Sequence, residues 1–285
     1  MKFFRIIESL VKRVNSIPKN SSNKELKRTF RSAIYNTSND KKLIFSDHEK
    51  INYILKNKEE ISKRIFIDGQ FDFVVLKKCL KYLKRKKRKF LISVGSHVGT
   101  TLIPSIKYNL FDHCIAFEPS IDNFRLLTAN ININKIEKKV TLFNIALGNK
   151  VSKGYLKLFH SNNSGDFRVV KKSRNTERIE INILDNFTSK INKKNSLIFM
   201  DAQGHEPEIF LGGKKTLKKM IPIIFELMPI ILKKNNPNVL YDLIKNYKNL
   251  TDLRENKVLK MNKINFFQLY RKYEKNRSYT DVMVF

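Results

Sequence analysis

Short apolar runs alternate with longer amphipathic stretches over most of the chain. Runs of strand length occur at 90–94 (FLISV), 113–117, 139–144, 196–200 (SLIFM) and 221–227. Between them, apolar positions recur every three or four residues over 99–110, 121–133, about 205–220 and 238–247, the period of a helix with one buried face. Short buried strands alternating with helices predict an α/β fold, a doubly wound and mostly parallel sheet with helices on both faces. Residues 156–159 and 178–183 read as edge strands around an open loop, SNNSG at 161–165. Residues 265–270 and 281–285 read as two more strands, antiparallel to the rest.

Before residue 90 the pattern is helical. Helices are predicted at 24–35, 47–64 and 72–86, the last through Phe73, Leu76, Leu80 and Leu83. Residues 16–23 hold Pro18 and several Ser and Asn, which makes them a connector. The chain therefore divides near residue 70 into a helical arm, 1–70, and an α/β domain, 71–285. At the start, Phe3, Ile6, Ile7, Leu10, Val11 and Val14 repeat at helical spacing among Lys2, Arg5, Lys12 and Arg13. Charges inside that apolar stretch are unlike a secretory signal, so a cytoplasmic location is expected. Such a basic amphipathic helix either packs on the protein or a partner, or makes a peripheral contact with the inner face of an anionic membrane.

Composition narrows the function classes. In 285 residues there are 57 Lys+Arg and 26 Asp+Glu, a formal charge of +31, with 41 % hydrophobic residues, enough for a real core. No run approaches 18 apolar residues, which excludes a transmembrane helix from the pattern. Two distant cysteines, Cys79 and Cys114, exclude a disulfide scaffold and a CxxC zinc site. The charge invites a nucleic-acid partner. Yet only 14 of the 57 basic residues are Arg, and Lys, Asn, Ile and Phe, the residues of A- and T-rich codons, dominate. The dense run from Lys84 to Lys89 has no interleaved aromatics and reads as a solvated helix end. Nucleic acid is therefore not the expected partner.

In an open α/β sheet, ligands bind beyond the carboxyl ends of the strands. After the first run comes Gly95-Ser96-His97-Val98-Gly99, where two glycines allow a tight turn close to a ligand. After the second comes Glu118, 19 residues beyond Gly99, placed to accept the hydroxyls of a ribose or, alternatively, to serve as a helix-start charge. The third glycine of a dinucleotide cradle is missing, so a nucleoside cofactor without a pyrophosphate fits best, and S-adenosylmethionine is the obvious one. After the fourth run comes Asp201-Ala202-Gln203-Gly204-His205-Glu206-Pro207-Glu208, acids and a histidine at a helix start. Gly212-Gly213-Lys214 lacks the spacing of a phosphate loop, and His113 beside Cys114 has no partner at ligand spacing, so no metal site is expected.

The order SVGSHVG, AFEPS, FNIALG, FMDAQGHEPEIFLGG and IPIIFE resembles the FkbM-type family of S-adenosylmethionine-dependent methyltransferases over about residues 90–226. The resemblance implies a class I methyltransferase (Rossmann-like) sheet of seven strands, the last antiparallel, and methylation of hydroxyls on sugars and natural products. It places Gly95 and Gly99 in the cofactor loop, Glu118 at the ribose, and Asn144 and Ala146 beside the adenine. It puts Asp201, Gly204 and Glu206 in the family's Asp-x-Glu-Gly-x-Glu motif near the methyl group. Two positions depart from the pattern. Ser93 stands where the family has an acid that contacts the amino-acid end of the cofactor, and Gln203 stands where it has Glu. The expected chemistry is in-line methyl transfer to a small-molecule or glycan hydroxyl, with His205 or Asp201 as the base. Segment 161–174 and the arm would set the acceptor. An RNA methyltransferase and a weakly active cofactor-binding relative are the alternatives.

Overall fold

The computed structural model describes residues 22–38, 42–83, 88–232 and 237–285. The amphipathic segment 2–14, residues 16–21 of the connector and residues 84–87 of the basic run lie outside the described residues. The chain forms two compact units, one up to Phe71 and one from Asp72.

The first unit contains helix α1 (Asn23–Thr37), strands β1 (Leu43–His48) and β2 (Ile51–Lys56), and helix α2 (Glu60–Asp68). Ser22 opens α1 with a capping box. Its hydroxyl accepts from Glu25 N, and its own N–H donates to Glu25 Oε2 at 2.8 Å. The helix predicted over 47–64 is instead an antiparallel hairpin followed by a shorter helix. Ile51, Ile54 and Leu55 fit a helical face, but Ile51, Tyr53 and Leu55 also alternate, and that second period wins because all three are buried. The turn rests on Glu49, at φ 52°, and carries no glycine to announce it.

In the second unit, helix α3 (Phe73–Leu80) precedes β3 (Arg88–Val94), α4 (Leu102–Lys107), β4 (Phe111–Phe117), α5 (Ile121–Ile133) and β5 (Val140–Phe143). Four strands follow: β6 (Ala146–Leu147), β7 (Ser152–Leu158), β8 (Phe167–Val170) and β9 (Glu177–Asn182). The chain continues through β10 (Ser196–Met200), α6 (Glu206–Leu211), α7 (Lys214–Lys218), β11 (Ile223–Leu227), α8 (Pro229–Leu232) and α9 (Pro237–Ile244). It closes with β12 (Asn249–Asp252), β13 (Lys257–Lys260), α10 (Lys263–Lys275) and β14 (Thr280–Val284).

Among the described residues the main sheet has the order β13-β12-β14-β11-β10-β3-β4-β5. Strands β11, β10, β3, β4 and β5 are parallel, and β14 enters antiparallel to both β11 and β12. Every residue of β10 and β11 is buried, as central strands covered on both faces require. From β3 the chain steps outward to β4 and β5, then crosses to β10 and β11 on the other side. The order reverses between β3 and β10, so those two strand ends face the ligand crevice.

Two further expectations need correction. Residues 265–270 are not a strand but the middle of α10. The Asn262 side chain accepts from Asn265 N at 2.8 Å, and Phe266, Leu269, Tyr270 and Tyr273 form its buried stripe. The helical spacing and the cap decide the outcome. The two expected edge strands do not flank the main sheet. They belong to a separate four-stranded sheet, β6-β9-β7-β8, packed around Ala146, Leu156 and Ile179. No described helix is long and apolar enough to cross a membrane.

Candidate active site

The loop after β3 is built from backbone. Gly95 N and Ser96 N both donate to Phe117 O at 3.0 Å, tying the β3 end to the β4 end. Gly95 lies at φ 73° and Gly99 at φ 96°, where a side chain is strained. His97, at φ 50°, donates its N–H to Glu118 Oε2 at 2.7 Å, and its ring Nε2 pairs with Ser164 Oγ at 2.8 Å. Ser93 is buried, and its hydroxyl accepts from Ser96 Oγ at 2.9 Å.

Glu118 directly follows β4 and is buried. Its other oxygen accepts from Ser120 N at 3.0 Å. Burial pushes its carboxyl up to about 7, against the pull of the His97 and Ser120 N–H groups. Asn144, just past β5, donates to Glu118 O at 2.8 Å and Pro119 O at 3.1 Å, so the third strand end joins the first two. Ala146 lies apart from them, buried in the core of the small sheet.

Asp201 follows β10, and its N–H donates to Val94 O at 2.9 Å. Burial raises its carboxyl, and the Gln203 amide, donating to Oδ1 at 2.7 Å, opposes that rise. Gln203 sits at φ 51° and also reaches Glu226 Oε2 at 3.4 Å. Glu226, in β11, is raised to about 10 by burial and by Asp201, Glu206, Asp281 and Asp72 around it. Asp281, its partner on β14, is raised to about 7, again chiefly by burial and then by Asp201. Glu206 is fully buried at the start of α6. Its Oε1 accepts from Ala202 N at 3.0 Å, and burial holds it at about 7. It straps the turn that carries Asp201, Gln203 and Gly204. Burial pushes His205 down to about 4, so its imidazole is neutral near pH 7.

The β7–β8 connection closes over the glycine loop. Ser164 O accepts from Asn123 Nδ2 at 2.8 Å, in addition to the His97 contact. Asp166 is buried, held by His160 and by Arg168 Nε at 2.7 Å, and its charge acts on Asp201. Gly212 and Gly213 form the junction of α6 and α7, where a β-carbon on Gly212 would meet Gly148 O.

Glu226, Asp281, Asp72 and Asp166 were not singled out from the sequence. Glu226 had a readable signal, since it interrupts the apolar run IIF as Asp201 ends LIFM. The other three carry no local signal. Among the described residues no group of three or more His, Cys, Asp or Glu side chains is arranged to hold a metal ion.

The model of the methyltransferase FkbM domain matches residues 93–255, more than half of the chain and the whole span from Ser93 past β12. The chain belongs to the FkbM methyltransferase family. S-adenosylmethionine is the cofactor of these FkbM-type enzymes, and the antiparallel last strand, β14, is that expected of their class I fold, while the described sheet has eight strands rather than seven because β13 extends its edge. No curated protein matches the sequence. Among solved structures, the FkbM methyltransferase of Methylobacillus flagellatus is similar at 11 % identity and a TM-score of 0.44, over 99 % of this chain. This chain spans 58 % of the length of that one. The precorrin-6y C5,15-methyltransferase of Geobacter metallireducens is similar at 11 % identity and TM-score 0.39, covering 74 % of this chain and 85 % of its own. M. jannaschii TYW2 in complex with AdoMet is similar at 10 % identity and TM-score 0.41, covering 86 % of each chain.

Proposed function

We propose that this FkbM-family chain methylates a hydroxyl on a sugar, a glycan or a small natural product. The observation that carries the reading is the meeting of the Gly95 turn and Asp201 at the point where strand order reverses. The glycines let the loop close tightly against Asp201, with the N–H groups of Gly95, Ser96 and His97 spent on Phe117 O and Glu118, and a loop held this way suits a cofactor wall. Glu118 supports ribose recognition. Its carboxylate is already held on one side by two backbone N–H groups, and buried carboxylates favour further hydroxyl donors. Asn144, bound to the Glu118 backbone, supports a place beside the base, whereas Ala146, buried in the small sheet, gives that role no support.

When bound, S-adenosylmethionine would supply a methyl group activated on a sulfonium, with S-adenosylhomocysteine as the matching leaving group. The protein's task is to align that oxygen and accept its proton. Asp201 fits the role of base. Burial makes its carboxylate more basic than an exposed one, and Gln203 fixes its orientation through Oδ1. His205, pushed down to about 4 by burial, fits a neutral wall beside Gly148. Glu206 supports the geometry of the Asp201 turn by bonding Ala202 N. The Ser164–Arg168 segment, tied to His97 and presenting Asp166 toward Asp201, fits the acceptor side.

Calorimetry with S-adenosylmethionine, followed by mass spectrometry of hydroxylated glycans and natural products, tests the reading. Binding together with a methylated hydroxyl product is the expected result. Methyl transfer to RNA alone would overturn the acceptor class, and absence of binding would overturn the whole reading.

A further inference from the structure

The Ser93 departure leaves the cofactor site short of one carboxylate. Its hydroxyl is neutral, buried, and engaged with Ser96. The amino-acid end of S-adenosylmethionine carries an ammonium, and a buried ammonium requires an ionised partner. Two nearby acids are poorly suited. Glu226 keeps its proton to about 10, and Asp201 is committed to Gln203 and to the acceptor.

A third acid stands on the other flank of the glycine loop. Asp72 is the residue before α3, a position where Asp ordinarily caps the helix, yet it makes no side-chain capping bond there. Its carboxylate turns instead to Thr100, whose buried hydroxyl donates to Asp72 Oδ2 at 2.8 Å. Thr100 adjoins Gly99, so the carboxylate is anchored directly on the cofactor loop. Glu118 follows β4, whereas Asp72 meets the loop from the start of α3.

We propose that Asp72, anchored by Thr100, supplies the carboxylate for the cofactor's ammonium group that Ser93 no longer provides. The proposal rests on S-adenosylmethionine being the donor. It makes the missing acid a relocated one, moved from the end of β3 to the start of α3, so the Ser93 position is no sign of lost binding.

Calorimetry on wild type and Asp72→Asn, with S-adenosylmethionine and with 5′-methylthioadenosine, separates the possibilities. Methylthioadenosine keeps the adenosine and lacks the amino acid. The expected result is a loss of roughly 10- to 100-fold in S-adenosylmethionine affinity, the scale of a charged hydrogen bond, with methylthioadenosine affinity unchanged within about twofold. Equal S-adenosylmethionine affinity in both proteins overturns the assignment while leaving the donor intact. Equal losses for both ligands also overturn it, because Asp72 would then act only by shaping the loop. A wild type that binds neither ligand removes the donor reading itself.

Discussion

A β-carbon on Gly95 would stand 1.8 Å from the carbonyl oxygen of Asp201. The two residues end neighbouring parallel strands, β3 and β10, and the Asp201 N–H is bonded to Val94 O. The floor of the site is thus main chain resting on main chain, and no side chain can relax to admit a methyl group. Gly95→Ala is expected to cost about 3 kcal/mol or more, from left-handed backbone strain and the clash together. Urea denaturation of the two proteins measures it, and a cost under about 1 kcal/mol would show that the strand ends can part.

Asp201→Asn keeps the size of the side chain and removes its basicity. Cofactor affinity should stay within about threefold, while S-adenosylhomocysteine formation with the acceptor should fall by roughly 10²- to 10⁴-fold, the range for a lost general base. Calorimetry and single-turnover assays read the two quantities separately. Undiminished turnover would move the base elsewhere.

Gln203→Glu restores the acid usual in the family, but in this site it replaces a donor by a charge. Asp201 would lose the amide that favours its ionised form and gain a like-charged neighbour, so its pKa should rise further. Activity that depends on ionised Asp201 should then reach half its plateau about one unit higher in pH. A pH–rate profile superimposable on wild type would exclude this coupling.

Glu206 titrates near 7 in the folded protein and near 4.5 in a free chain. Between those values the folded state holds the extra proton, so stability from this group is fully present below about 4.5 and lost as pH rises through about 7. Glu206→Gln removes the dependence while keeping an oxygen for Ala202 N. Between pH 5 and 8 the variant should gain on wild type by on the order of 2–3 kcal/mol. Thermal melts across that range test it, and parallel curves would show that Glu206 is ionised throughout.

The sequence is legible where chemistry sits at the end of an apolar run. Gly95, Glu118 and Asp201 each follow one, and a parallel sheet delivers all such ends to one edge. Asp72, Asp166 and Asp281 lie outside that rule. Asp72 precedes a helix, Asp166 hangs on a hairpin connection, and Asp281 sits within a strand that runs the opposite way. What brings them to the site is tertiary packing, and no local spacing encodes it. The same limit explains the β1–β2 hairpin, where Ile51 and Leu55 satisfy two periods, one with Ile54 and one with Tyr53, and only burial chooses between them. At α10 the information is present in the sequence, in Asn262 as the cap and in the 3–4 spacing from Phe266 to Tyr273.

The four strands from β6 to β9 pair as strands only with one another among the described residues, around Ala146, Leu156 and Ile179, while Glu177 accepts from Ile121 N and Leu147 joins the main core. They branch from the chain after β5 and return before β10, so the registers of β3, β4, β10 and β11 do not depend on them. This insert carries Ser164 to the His97 ring and the Asn123 side chain. Evolution, or an engineer, can exchange it as a cassette, with His97 and Asn123 as the docking points any replacement must meet. The strand ends that carry Gly95, Glu118 and Asp201 and the insert that meets His97 and Asn123 are therefore separate parts of one fold.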